Sequence, residues 1–216
     1  RFDHEYKTRR IFVFKQWVWP FQRETKGGGA SVVIVSGLPR SGTSMMMKML
    51  EAGGLPVLVD HVRTADADNP QGYYEYELVK QLDKGNHAWL AQAQGKGVKV
   101  ISALLPHLPG AYHYKVIFMQ REMAEVLASQ QKMLERRGET DVVDDRVMAQ
   151  MFEEHLAQVR GWLQNQPNIE LLDVHYNQLV ADPHPAVRLI NGFFDQTLIE
   201  AQMLAAIDPA LYRNRQ

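Results

Sequence analysis

Val32-Val33-Ile34-Val35-Ser36-Gly37-Leu38-Pro39-Arg40-Ser41-Gly42-Thr43-Ser44 runs directly into the apolar residues from Met45 to Leu50. Four β-branched residues in a row, too short for a helix and too apolar for an exposed edge, read as a strand buried on both faces. The turn that follows holds Gly37 and Gly42, which let the backbone fold tightly and approach a ligand. A helix then begins with its first N–H groups aimed back into the turn. Those amides, the planar donor fork of Arg40 and the hydroxyls of Ser41, Thr43 and Ser44 make a cradle for a phosphate or a sulfate.

Working outward, the apolar helix from Ser44 to Ala52 reads as buried, with its methionines as core. Leu55 to Val59 reads as a short second strand, parallel to the first and joined to it by that helix. A helix is expected over Leu78 to Ala93, and strands over Val98 to Ser102 and Tyr114 to Arg121. Helices then follow over Glu122 to Arg137 and Arg146 to Asn165, the latter capped by Asp144 or Asp145. Val147, Met151, His155, Val159 and Trp162 form its core stripe, with His155 a satisfied core histidine. Ile169 to Val174 is a further strand. Pro183 or Pro185 opens a helix in which Val187, Leu189, Ile190, Phe193 and Phe194 pack inward. Thr197 to Glu200 has the form of a capping box.

The alternation of strands and helices gives an α/β fold, in three layers with a central parallel sheet flanked by helices. Residues 1–30 read as an N-terminal extension and 31–216 as one domain, a size that suits 216 residues. The extension is polar, then aromatic around Phe12, Phe14, Trp17 and Trp19, and ends in Gly27-Gly28-Gly29. It is expected to lie on its own domain, with a membrane-touching arm or a homodimer contact as the alternative.

Lys and Arg number 24 against 25 for Asp and Glu, a net charge of -1, so no whole-chain field steers the protein to nucleic acid or an anionic membrane. An anion site must therefore be local. The absence of cysteine excludes disulfides and thiol catalysis and suits a cytoplasmic location. No apolar run approaches the length of a membrane span. Asp66, Asp68 and Asn69 lack the glycine and terminal glutamate of a calcium-binding loop.

The anion loop has Walker spacing with Thr43 in the lysine position, a departure that weakens a small-molecule kinase reading. Gly-Leu-Pro-Arg-Ser-Gly-Thr-Ser instead resembles the phosphosulfate-binding loop of sulfotransferases. The strand that ends at Arg121, with Ser129 eight positions later on a helix, resembles the element with which that family holds the 3'-phosphate of its donor. The pattern from Val174 to Pro183 is similar as well. The resemblance spans roughly Val32 to Phe194 and is closer to tyrosylprotein and Golgi-type enzymes than to the cytosolic type.

The resemblance implies a P-loop-like fold and transfer of a sulfuryl group from 3'-phosphoadenosine 5'-phosphosulfate to a hydroxyl or amine, leaving 3',5'-adenosine bisphosphate, without a metal. Pro39, Arg40, Ser41, Gly42, Thr43, Ser44, Arg121 and Ser129 would bind the donor, with Arg40 and Arg121 gripping opposite ends of it. The histidine that cytosolic sulfotransferases carry at the end of the third strand is absent from Val100-Ile101-Ser102-Ala103. For the base, His61 ranks first, Asp60 second and Glu75 third, with His107 a lesser choice. The acceptor, whether small molecule, carbohydrate or peptide, is not encoded in these motifs. The alternatives are a non-catalytic nucleotide-binding protein of the same fold, then a small-molecule kinase in which Asp173 would hold magnesium.

Overall fold

Val32–Gly37 forms β1, buried along its whole length, in the computed structural model of the chain, which describes residues 29–60, 62, 72–136, 138 and 144–208. The run is apolar on both faces because both are covered. Side chains alternate across a strand, so Val33 and Val35 enter one core while Val32 and Ile34 enter another. On the first face lie α1 (Thr43–Ala52), which contributes Met45, Met46, Met47, Met49 and Leu50, and the later helices α5 (Tyr176–Ala181), α6 (Pro183–Phe193) and α7 (Glu200–Ala205). The second face packs on α2 (Leu90–Ala93) and α4 (Asp145–Gln164), with Trp89 as its largest buried side chain. The methionines are core, as expected.

The sheet is parallel throughout, in the order β2-β1-β3-β4, with β2 at Gly97–Lys99, β3 at Tyr114–Gln120 and β4 at Ile169–His175. Gly37 pairs in register with Met119, and Gln120 with His175, so the ends of β1, β3 and β4 open on one rim. The helix α3 (Met123–Arg136) leaves that rim and packs Val126 with Leu38 and Phe152. The three-layer α/β arrangement read from the alternation of elements is the one observed.

Several elements differ from their expected form. The stretch from Leu55 to Val59 is not a strand beside β1. It makes a single parallel bridge, Val57 to Gly97, on the outer side of β2. Pro56 has no N–H to extend a ladder, so only its carbonyl and the Leu58 amide engage Gly97. The helix expected over Leu78 to Ala93 is a 3-10 helix, Glu77–Lys84, followed by the single turn of α2. Gly85, at φ 78°, ends the first piece, and the side chain of Asn86 donates to Gln81. The strand expected to reach Ser102 stops at Lys99, and Ser102–His107 coils as a second 3-10 helix.

Val147 and Leu189, placed in core stripes by spacing, are half exposed. The capping box at Thr197 is also replaced. Ile199 is the cap residue of α7, Thr197 donates to the Phe194 carbonyl, and buried Asn191 receives the Leu198 amide while donating to Glu200. Asp144 caps α4 and Pro183 opens α6, both as read. Residues 1–28 of the N-terminal extension, His61 and the acidic loop from Asp66 to Pro70 lie outside the described residues.

His155 is the buried core histidine its stripe implied, with Nε2 2.8 Å from Ser102 Oγ. Burial lowers its pKa from 6.5 to about 4. The folded state keeps the imidazole neutral while the unfolded chain takes up a proton near its ordinary value. The stabilisation from this group is therefore complete above pH 6.5 and is lost as pH falls toward 4. We expect the melting temperature to drop over that window, and His155→Gln, which stays neutral, to flatten the difference. Thermal melts of both proteins at pH 7.5 and 4.5 check this; parallel falls would remove His155 as a cause.

Candidate functional site

The end of β1 can only be glycine. Gly37 has φ 147°, and a Cβ there would lie 2.5 Å from Ser41 Oγ and 2.6 Å from the Met119 carbonyl oxygen. The chain turns through Leu38 to Gly42, closed by the Ser41 amide donating to the Leu38 carbonyl. Gly42, at φ 99°, is the cap residue of α1. It supplies no side-chain cap, and the first turn of the helix carries no acid. The N-terminus of α1 thus favours an anion and offers no carboxylate to oppose one. A Cβ on Gly42 would stand 2.4 Å from the Tyr176 ring, so the close approach of that ring requires glycine here too.

Arg40 is held in the left-handed region at φ 70°, uncommon for a residue with a side chain. Its Nε donates to Ser129 Oγ, 2.8 Å away, on α3, and Ser129 is buried. Its carbonyl accepts from Arg121 Nη1 at 3.0 Å. Arg121 follows β3, lies 4.5 Å above the centroid of Tyr176 and donates through Nε to buried Glu125 at 2.9 Å. Arg40, Arg121 and Ser129, expected at two separate stations, therefore form one hydrogen-bonded cluster across the rim.

Ser41 lies on the inner side of the turn. Its side chain is buried beneath the loop with no hydrogen-bond partner for Oγ, and its amide is engaged by Leu38. Pro39 and Thr43 are half-buried on the turn and the first residue of α1. Ser44 Oγ donates to the Tyr73 carbonyl at 3.4 Å, and Lys99 Nζ donates to the same oxygen. Glu75 Oε1 lies 3.7 Å from Lys99 Nζ, placing a carboxylate and an ammonium group beside the loop's last hydroxyl.

Asp60 adjoins Glu75, its amide donating to the Glu75 carbonyl at 3.2 Å. Its Oδ1 accepts from the Val62 amide at 3.1 Å and its Oδ2 from the Glu77 amide at 2.5 Å, so both oxygens pin the backbone of a turn. His107 is on the second 3-10 helix, where burial lowers its pKa. Asp173 makes a two-pronged pair with Arg160, both contacts 2.8 Å, and accepts from Gln120. That arrangement neutralises the acid on which the kinase reading relied.

Two clefts meet at Gln120 and Arg121. One of about 200 Å³ also touches Glu122, Met123, His175 and Asn177; the other, of about 110 Å³, lies over Leu38, Ser41 and Arg160. Both are smaller than the roughly 300 Å³ at which enclosed ligand pockets begin. Among the described residues no group of three or more His, Asp or Glu side chains is gathered to hold a metal ion. No described helix is long and apolar enough to cross a membrane.

Sequence reasoning missed Glu125, Asn177 and Lys99. Glu125 stands four residues after Arg121, the spacing at which helical ion pairs form, and that signal was available. Asn177 and Lys99 reach the site through the order of the strands, for which no local pattern exists.

The profile of the sulfotransferase domain family matches residues 31–214. No curated protein matches the chain. Among solved structures, it is similar to the sulfotransferase domain from the Synechococcus PCC 7002 olefin synthase. That pair has a TM-score of 0.53 and 16% identity, covering 91% of this chain and 90% of that one. A second likeness is to the sulfotransferase domain from the Curacin biosynthetic pathway, with a TM-score of 0.50 and 15% identity over 83% of this chain and 78% of that one. Both likenesses are of fold.

Proposed function

The chain belongs to the sulfotransferase domain family, and from that premise we propose that it transfers a sulfuryl group from 3'-phosphoadenosine 5'-phosphosulfate to an acceptor hydroxyl or amine in the cytoplasm. The observation that carries this reading is the cluster of Arg40, Ser129 and Arg121 over the uncapped start of α1. The donor supplies an activated sulfur whose bond to the phosphate oxygen breaks as the bond to the acceptor forms.

This chain's residues supply the rest. Pro39, Arg40, Gly42, Thr43 and Ser44 bind the phosphosulfate end, with Ser41 shaping the turn from below. The fixed positive charge of Arg40 and the amides of α1 offset the negative charge that grows on the leaving phosphate. Arg121 and Ser129 take the second phosphate. These donors are cationic or neutral, so the reading calls for no metal.

The acceptor proton goes to a base on the chain between Asp60 and Glu75. Asp60 is the weakest of the three choices because both its oxygens are engaged by backbone amides. Glu75 stands near the last hydroxyl of the loop, with Lys99 3.7 Å and Lys80 3.8 Å from its two oxygens. His61 remains the other choice. A bound acceptor hydroxyl would lose its proton to one of them as the sulfur arrives.

The test is calorimetric titration with 3',5'-adenosine bisphosphate, compared with ATP plus magnesium. Binding of the bisphosphate at least tenfold tighter than ATP is expected. Preference for ATP would overturn the donor assignment, and bisphosphate binding without transfer to any acceptor would move the protein to the non-catalytic class. Glu75→Gln and His61→Ala then separate the bases: the true one loses kcat while the bisphosphate affinity stays.

A further inference from the structure

Arg121 is an arginine with a side chain 8% exposed, and its orientation is set by a carboxylate that is itself buried, Glu125 at 4%. Burying a charged acid is costly unless it is paired and hydrogen-bonded. Glu125 meets both conditions. Its Oε2 accepts from Arg121 Nε at 2.9 Å and its Oε1 accepts from Asn177 Nδ2 at 3.0 Å. Asn177 is oriented in turn, because its Oδ1 accepts the Glu122 amide at 3.2 Å, leaving its NH₂ group to face the carboxylate. The chain of contacts runs from α5, through the first turn of α3, to Arg121 and on to the Arg40 carbonyl.

We propose that Glu125, oriented by Asn177, is a positioning residue that presets Arg121 and, through Arg121, the left-handed turn at Arg40. The inference rests on the donor reading above, in which the nucleotide lies at Arg121. Four features of the site support it. An unrestrained arginine samples many rotamers, and ordering one on ligand binding costs affinity. Glu125 fixes the guanidinium from Nε, Tyr176 flanks it, and the Arg40 carbonyl takes Nη1. The acid stands in the first turn of α3, where the helix favours negative charge. Neither Glu125 nor Asn177 is among the loop residues expected to bind the donor.

The experiment is a double-variant cycle on the intact chain, read as affinity for 3',5'-adenosine bisphosphate by calorimetry. Arg121→Ala is expected to weaken binding at least tenfold and Glu125→Gln about tenfold. The double variant should bind no more weakly than Arg121→Ala alone, because Glu125 acts only through that arginine. A purely structural role predicts instead that the two losses multiply, or that Glu125→Gln lowers the melting temperature and leaves affinity intact; either result overturns the proposal.

If Glu125→Gln fails to fold, Asn177→Ala takes its place in the cycle. It leaves the ion pair and removes the hydrogen bond to Glu125 together with the one from the Glu122 amide, and about a threefold loss is expected, again absent in the Arg121→Ala background. Wild-type affinity in Arg121→Ala would overturn this inference while the wild-type titration still decides the donor reading independently.

Discussion

Arg40→Gly loses about a thousandfold in kcat/KM for sulfuryl transfer and melts within about 3 °C of the wild type. The two halves of this expected result come from different parts of the residue. The side chain donates to Ser129 and carries the only charge on the turn between Leu38 and Ser44. Removing one preorganised donor at a site where negative charge develops costs about 3–4 kcal/mol of transition-state stabilisation, and a charged donor belongs at the upper end. The backbone behaves differently. At φ 70° a residue with a Cβ is strained by about 1–2 kcal/mol, which glycine relieves. Against that stand the extra chain entropy of glycine and the lost bond to Ser129, each about 1 kcal/mol.

The Arg40 carbonyl, which takes the bond from Arg121, is still present in the variant. The turn keeps its shape, so lost activity with retained melting temperature separates chemistry from folding. Arg40→Lys keeps the charge but not the planar fork and should recover about a tenth of the wild-type rate. A Gly variant with a tenth or more of wild-type activity would remove Arg40 from the chemistry. A variant that melts 10 °C lower would mean that the Ser129 contact, not strain, governs the turn.

The parts of the fold that could be read from sequence are those set by local pattern. The run from Val32 to Val35 is apolar on both faces because helices cover both, and the methionines of α1 are nearly contiguous because that helix is buried against one face of the sheet. The donor loop was legible for the same reason: the glycines, Arg40 and the hydroxyls are contiguous in the chain. The elements that read wrongly were decided by partners far away. Leu55 to Val59 looks like a strand, yet the edge of β2 accepts only one bridge from it. Thr197 looks like a cap, yet Asn191 reaches that turn first.

The contacts that surround the site were hidden for a similar reason. Asp60 has the chemistry of a base but its carboxylate closes a turn on Val62 and Glu77, seventeen residues away in the latter case. The pairing of Glu75 with Lys99 depends on β2 lying next to β1, a fact of topology. Arg121 was placed correctly at the end of a buried strand, but its contact with the Arg40 carbonyl could not be read from either residue's neighbours.

Gly37→Ala is expected to destabilise the protein by about 3–4 kcal/mol, lowering the melting temperature by about 10 °C. Two costs add. An alanine at φ 147° is strained by about 1–2 kcal/mol, and its Cβ would press on two atoms at once. Ser41 Oγ, 2.5 Å away, belongs to a short side chain that can rotate. The Met119 carbonyl oxygen, 2.6 Å away, cannot: Met119 pairs with Gly37 on one side and Val174 on the other, in the middle of the sheet. Forcing such a group aside costs about 1–3 kcal/mol. Gly85→Ala is the matched control, with φ 78° and nothing within 4 Å of the new Cβ, so it carries only the conformational cost of about 1 kcal/mol. The displacement at Met119 also passes to Gln120 and Arg121, so bisphosphate affinity should fall in Gly37→Ala and not in Gly85→Ala. Melting temperatures of the two variants within 3 °C of each other would mean that the end of β3 yields easily, and that the turn owes its shape to Arg121 and Ser129 more than to the glycine beneath them.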